Sequence, residues 1–152
     1  MSTFNLTQQE AEMLINMIKK CINKQDLPFP NSGNGLILNV VGQDEHSEFV
    51  INIDRAKINT NKCNYQGRVK SNNIPLLRLD INPSKPHKNP SDHKIIRGSH
   101  LHFYTEEYGI RDAVEFETEG KNLAELCLVF FDKFNVVDIP KIVSQGELNL
   151  GN

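Results

Sequence analysis

Apolar positions divide the chain into a helical stretch, a long alternating middle and a second helical stretch. Between Thr7 and Lys24, Ala11, Leu14, Ile15, Ile18, Cys21 and Ile22 recur three and four residues apart, as one stripe of an α-helix requires. Thr7 and Glu10 fit the capping box, in which each side chain satisfies a backbone N–H that helix geometry leaves free. The spacing predicts a helix over 7–24 that packs on something, with Met13 and Met17 at the edge of the core.

After the Pro- and Gly-punctuated loop QDLPFPNSGNG the period falls to two. GLILNVVG and SEFVINIDRA read as strands of a hairpin around GQDEH, followed by KCNYQGRVK, then PLLRLDI beyond the turn KSNNIP, then SHLHFY, and DAVEFET beyond EEYGIR. The strand-rich region thus spans 35–118. Asn122 and Glu125 repeat the capping pattern before Leu123, Leu126, Cys127, Phe130, Phe131 and Phe134, which predict a second helix over 122–135. Pro140 ends it, and the tail 140–152 carries no assignable pattern. The expected fold is α+β, a single domain over 1–152: an antiparallel meander of about six strands with the N- and C-terminal helices packed on one face.

That arrangement leaves the other face free, and the strand parity says what occupies it. Side chains alternate between faces, so Arg78 and Asp80 lie opposite Leu77, Leu79 and Ile81, while His100, His102 and Tyr104 lie opposite Leu101 and Phe103. If the two strands pair, a polar cluster forms. Between them runs a long loop with Pro83, Pro86 and Pro90 that carries His87 and His93, and long loops in compact domains are disproportionately functional.

Two chemistries suit this cluster. Histidines at i and i+2 of a strand reach a common ion, and with Asp80 and His87 they supply four nitrogen or oxygen ligands for Zn²⁺ or another divalent transition metal. Tyr104 or Arg78 would then orient the ligands by hydrogen bonds. Alternatively, RNA cleavage by 2′-OH attack needs a base, an acid and a cation, roles open to His100 and His102 beside Arg78 and Arg68. A buried hydrogen-bond network that fixes strand register is the purely structural reading. His93 is expected in solvent, Cys63 on the core face, and Asp54 with Arg55 as an ion pair at a strand end. There is no GxxxxGK[ST], GxGxxG or GxSxG, so nucleotide-loop and serine-hydrolase readings lack their motifs.

Charge changes the picture next. The net charge is −2, yet residues 54–100 hold ten basic side chains against three acids, and from Leu101 onward ten acids stand against four basic residues. Such asymmetry suits either a charged partner or stretches of opposite charge that simply solvate one small domain. Three cysteines without CxxC spacing suit a reduced, cytoplasmic protein, and no apolar run approaches the roughly 18 residues of a membrane helix. The N-terminus does not read as a signal peptide.

The segments IDRAKIN, CNYQGR, LLRLDI, PHKNP and SHLHFYTEEY together resemble an uncharacterised family of small proteins from phages and mobile elements of Gram-positive bacteria. Matching positions are Arg55, Tyr65, Gln66, Arg68, Arg78, Asp80, His87, Asn89, Pro90, His100, His102 and Tyr104. Ser91 and Asp92 replace an Asp-Gly turn, and Glu107 a glycine before Tyr108. A narrower likeness, in the RLD segment, His87 and the HxH strand, connects the chain to ribonuclease toxins of toxin-antitoxin pairs. Phage-borne proteins of this size also include anti-CRISPR proteins. The resemblance therefore implies either an inhibitor of a CRISPR effector nuclease, its acidic half set against a basic nucleic-acid surface and a structural metal tying down loop 82–98, or a toxin-type endoribonuclease. The slightly acidic overall balance favours the inhibitor.

Overall fold

Four long strands carry the alternation and build the sheet from its middle outward. In the computed structural model, which describes residues 5–22 and 25–144, these are β3 (Gly35–Gly42), β4 (Glu48–Arg55), β5 (Cys63–Val69) and β6 (Pro75–Ile81). Around them lie β1 (Lys19–Cys21), β2 (Leu27–Phe29), β7 (His87–Lys88), β8 (Ile95–Ile96), β9 (His100–Phe103), β10 (Ala113–Glu115), β11 (Val136–Val137) and β12 (Ile142–Ser144). The helices are α1 (Gln8–Asn16) and α2 (Leu123–Lys133). The main sheet has eight strands in the order β10-β9-β6-β5-β4-β3-β1-β11; β1 pairs parallel with β11, and the other neighbours are antiparallel. Two small sheets pair β12 with β2 and β7 with β8.

An eight-stranded mixed sheet overturns the expected six-stranded antiparallel meander. The first cause is the helix predicted over 7–24, which ends at Asn16, with Met17 already extended at φ −60°, ψ 133°. From Lys19 the chain is a strand instead. The stripe continued through Ile18 and Ile22, but these are 43% and 56% exposed, while Lys19 and Cys21 point into the core. Pairing with β3 on one side and β11 on the other outweighs a weak local preference for helix. The second cause is β11, which pairs in parallel with β1 at the sheet's edge, while tail residues 142–144 pair in parallel with 27–29 in a separate small sheet, contacts without any local sequence signal. The rest of the tail, and positions 23 and 24, fall outside the described residues.

Register places Phe49, Ile51 and Ile53 of β4, Cys63, Tyr65 and Gly67 of β5, and Leu77, Leu79 and Ile81 of β6 on one face. On this face lies α2, whose Phe130 stacks on Tyr65 and whose C-cap Phe134 meets Phe49 edge-on. Gly67 makes room for that ring, since a Cβ there would sit 2.5 Å from Phe134 Cε2. Both helices open on the capping boxes foreseen at Thr7/Glu10 and Asn122/Glu125.

One cation enters this apolar layer. Lys19, fully buried, donates from Nζ to the carbonyls of Ile15, Met17 and Phe134 at 3.0, 2.9 and 2.9 Å, and lies over the rings of Phe49 and Phe134. It thereby joins the C-terminal ends of both helices, where carbonyls lack helical partners and the dipole favours positive charge. Burial pulls its pKa down to about 7, while three acceptors and two ring faces match an ammonium's needs.

Candidate metal centre

The opposite face of the sheet is polar by the same parity. Register sets Asp80 between His100 and Asn64, and Arg78 between His102 and Gln66, so strand pairing alone brings the RLD and HLH segments together. His100 and His102 are buried; their rings lie 4.8 Å apart between centroids. Loop 82–98 brings in the third imidazole: His87 stacks on His100 at 5.2 Å and meets His102 edge-on at 4.6 Å. One ring nitrogen from each of His87, His100 and His102 falls within 4.8 Å of the others, close enough to hold a metal ion.

Asp80 stands outside that close set but against two of its members. Its Oδ2 is 3.3 Å from His100 Nε2 and 3.4 Å from His102 Nε2, and its Oδ1 accepts from Arg78 Nε at 2.7 Å. Burial opposes the carboxylate's charge, but the His100, His102 and Arg78 donors outweigh it and hold Asp80 well below the usual carboxylate range. Desolvation likewise works against a charged His100, yet Asp80 and the Gly98 carbonyl prevail and its pKa rises. In His87, desolvation and the neighbouring imidazoles push the pKa down.

The hydrogen bonds of the rings show what remains uncommitted. His100 Nδ1 lies 2.9 Å from the Gly98 carbonyl while its Nε2 faces Asp80, so that ring has an acceptor at each nitrogen, and His87 Nε2 lies 2.9 Å from Asn89 Oδ1. In His102, Nε2 faces Asp80, whereas Nδ1 is buried without a partner. An orphaned ring nitrogen among three imidazoles is costly unless something binds it. Three imidazoles suit a first-row divalent ion, which would take His102 Nδ1 and, at His100, the place of one of its two acceptors, leaving the other, with Asn89 at His87, to orient the ligands.

Loop 82–98 is anchored without any ion. Asn89, buried, donates from Nδ2 to the Ala113 carbonyl and accepts the Ala113 N–H, both at 2.9 Å, as a strand neighbour would. Ser91 N–H reaches Asp112 Oδ1, and Asn82 N–H reaches Ser99 Oγ. Asn89 had stood out only through family likeness, and Asp112 not at all; both act through tertiary bonds that no local pattern announces.

The other candidates fall elsewhere. Tyr104 leaves the cluster: β9 ends at Phe103, and the Tyr104 hydroxyl donates to the Leu6 carbonyl and accepts its N–H, pinning the entry to α1. Arg68 shares the polar face but touches no imidazole, binding Asn52 and Asn73 instead. His93 is exposed. Cys63 is buried on the core face, its thiol pKa pushed up to about 11 by desolvation. Asp54 and Arg55 point to opposite faces, and Arg55 binds the Thr60 and Pro30 carbonyls. No helix among the described residues is long and apolar enough to cross a membrane.

Comparison with known proteins adds a family without an activity. Residues 6–136 match a family of unknown function (DUF6978). No curated protein and no solved structure matches the chain.

Proposed function

We propose, for a chain that belongs to a family of unknown function and takes no activity from any relative, that it is a zinc-dependent endoribonuclease of the toxin type. His87, His100 and His102 hold the ion. Asp80, itself bound by Arg78, orients His100 and His102, and all three histidines line the cleft walled by Lys62, Lys85 and Pro86. When bound, such an ion supplies Lewis acidity and a lowered water pKa.

The observation that carries this reading is the buried, uncommitted Nδ1 of His102, a residue that lines the cleft. A structural ion would have a loop to tie down, and here Asn89, Ser91 and Asn82 already tie it. Structural zinc sites also close their coordination with four protein ligands, whereas catalytic ones leave a position free. Arg78, Lys62 and Lys85 around the cleft suit a phosphodiester substrate.

The test is elemental analysis of the purified protein beside RNA cleavage with and without chelator. About one equivalent of zinc, with cleavage lost in EDTA and restored by Zn²⁺, is the expected result. Cleavage that persists in EDTA would shift the work to acid–base chemistry by His100 and His102 with Arg78. The inhibitor reading rests on the acidic C-terminal half, with Glu106, Glu107, Glu115 and Glu117 exposed. It takes over if the protein is inert on RNA yet protects phage DNA from a CRISPR effector nuclease.

A further inference from the structure

Two guanidinium groups on the open face are held by one end and unused at the other. Arg78 commits Nε to Asp80, and Arg68 commits Nε to Asn52 and Nη1 to Asn73. Both Nη groups of Arg78, and Nη2 of Arg68, make no hydrogen bond among the described residues. Gln66, half-buried on the same face, likewise makes no side-chain hydrogen bond among the described residues. Fixing the Nε of an arginine removes much of its rotamer freedom while leaving the forked donors presented, which is the arrangement for binding an oxyanion.

Register says how this spot relates to the imidazoles. His102, Arg78, Gln66 and Asn52 are successive cross-strand partners on β9, β6, β5 and β4, and His100, Asp80, Asn64 and Asp54 form the adjacent row. The hollow over Gln66 and Arg68 shares Asn64 and Arg78 with the imidazole cleft, so one groove runs from the metal centre across the sheet. Four strands at about 4.8 Å spacing make it roughly 14 Å long, more than a single phosphate occupies. Along it, Arg78 and Arg68 offer donors that pair with phosphate and Gln66, Asn64 and Asn52 offer amides that donate and accept, as sugar hydroxyls and base edges require, while the carboxylates of Asp80 and Asp54 line the adjacent row. Pro83 to Pro86 wall the cleft on one side.

We propose that this groove seats one strand of RNA, with a phosphate between Arg68 and Arg78 above Gln66 and the neighbouring phosphodiester at the imidazoles. The proposal rests on the ribonuclease reading for the identity of the reacting bond, but strand binding itself needs no metal.

The experiment is fluorescence anisotropy of a labelled single-stranded oligoribonucleotide with the full chain in EDTA, repeated over a salt series. Wild type should bind, and Arg68→Gln should weaken binding roughly tenfold and reduce the salt slope by about one, the signature of one lost phosphate contact. Gln66→Ala should weaken it further, and Arg68→Lys should recover part of the loss. Unchanged melting temperature and zinc content of the variants keep the comparison clean. RNA binding that is absent, or indifferent to Arg68→Gln, overturns the groove even where zinc is present. Arg68-dependent binding by a protein without zinc upholds the groove and sinks the metal reading alone. Equal binding of the deoxy strand with the same Arg68 dependence overturns the assignment to RNA.

Discussion

The two faces of the sheet each bury an ionisable side chain, and they treat it in opposite ways. On the covered face Lys19 has three donors and three carbonyl acceptors, with two aromatic rings against it. Nothing is left over. On the open face His102 keeps a buried nitrogen unpaired, and Arg78 and Gln66 leave donors unused beside it. A polar group whose bonding is complete inside the chain holds the fold together, whereas one left incomplete at a cleft waits for a ligand. Function therefore sits where the hydrogen-bond accounting of the chain does not close.

Lys19→Met should break the covered face most severely. It strips three buried carbonyls of their donor, a loss of about 3 kcal/mol or more in urea unfolding. It also sharpens the comparison through pH. Lys19 binds its proton more weakly folded than unfolded, so between about 7 and 10.5 the unfolded chain holds a proton that the folded chain releases. Wild-type stability gains a rising contribution across that window, and the difference between wild type and Lys19→Met should show it.

Gly67→Ala comes next, at about 1–3 kcal/mol, because the new Cβ collides with the Phe134 ring on a packed face. Asp80→Asn keeps the shape of the side chain but loses the charge that orients His100 and His102, so zinc affinity should fall about 10–100-fold, read by competition with a chromogenic chelator. The smallest effect belongs to Asn122→Ala, which removes the α2 cap for about 1 kcal/mol and leaves zinc binding intact.

The open face was the more legible of the two. Parity in PLLRLDI and SHLHFY places Arg78, Asp80, His100 and His102 together because strict alternation on paired strands admits no other arrangement. The Tyr104 error marks where that logic stops, at the end of a strand. Arg68 was on the right face and at the wrong distance, since parity says which side a residue takes but not how many strands separate it from another. Much of what was missed at the covered face's margin depends on non-local pairing. A lysine on a core position of a three-residue strand contradicts its own pattern, and only the carbonyls of Ile15, Met17 and Phe134 resolve the contradiction. The parallel partners of β1 and β2 lie more than a hundred residues away, where local periodicity has no reach.

The lysine that fastens both helix ends also sets an order of events in the cell. Synthesis delivers the chain from its N-terminus, so Lys19 emerges long before Phe134, its partner 115 positions downstream. Until then the ammonium has no complete cage and remains in water, and the first strand has one neighbour instead of two. Completion of the cage thus waits for the segment that carries Phe134 and β11, whose arrival locks β1 in place.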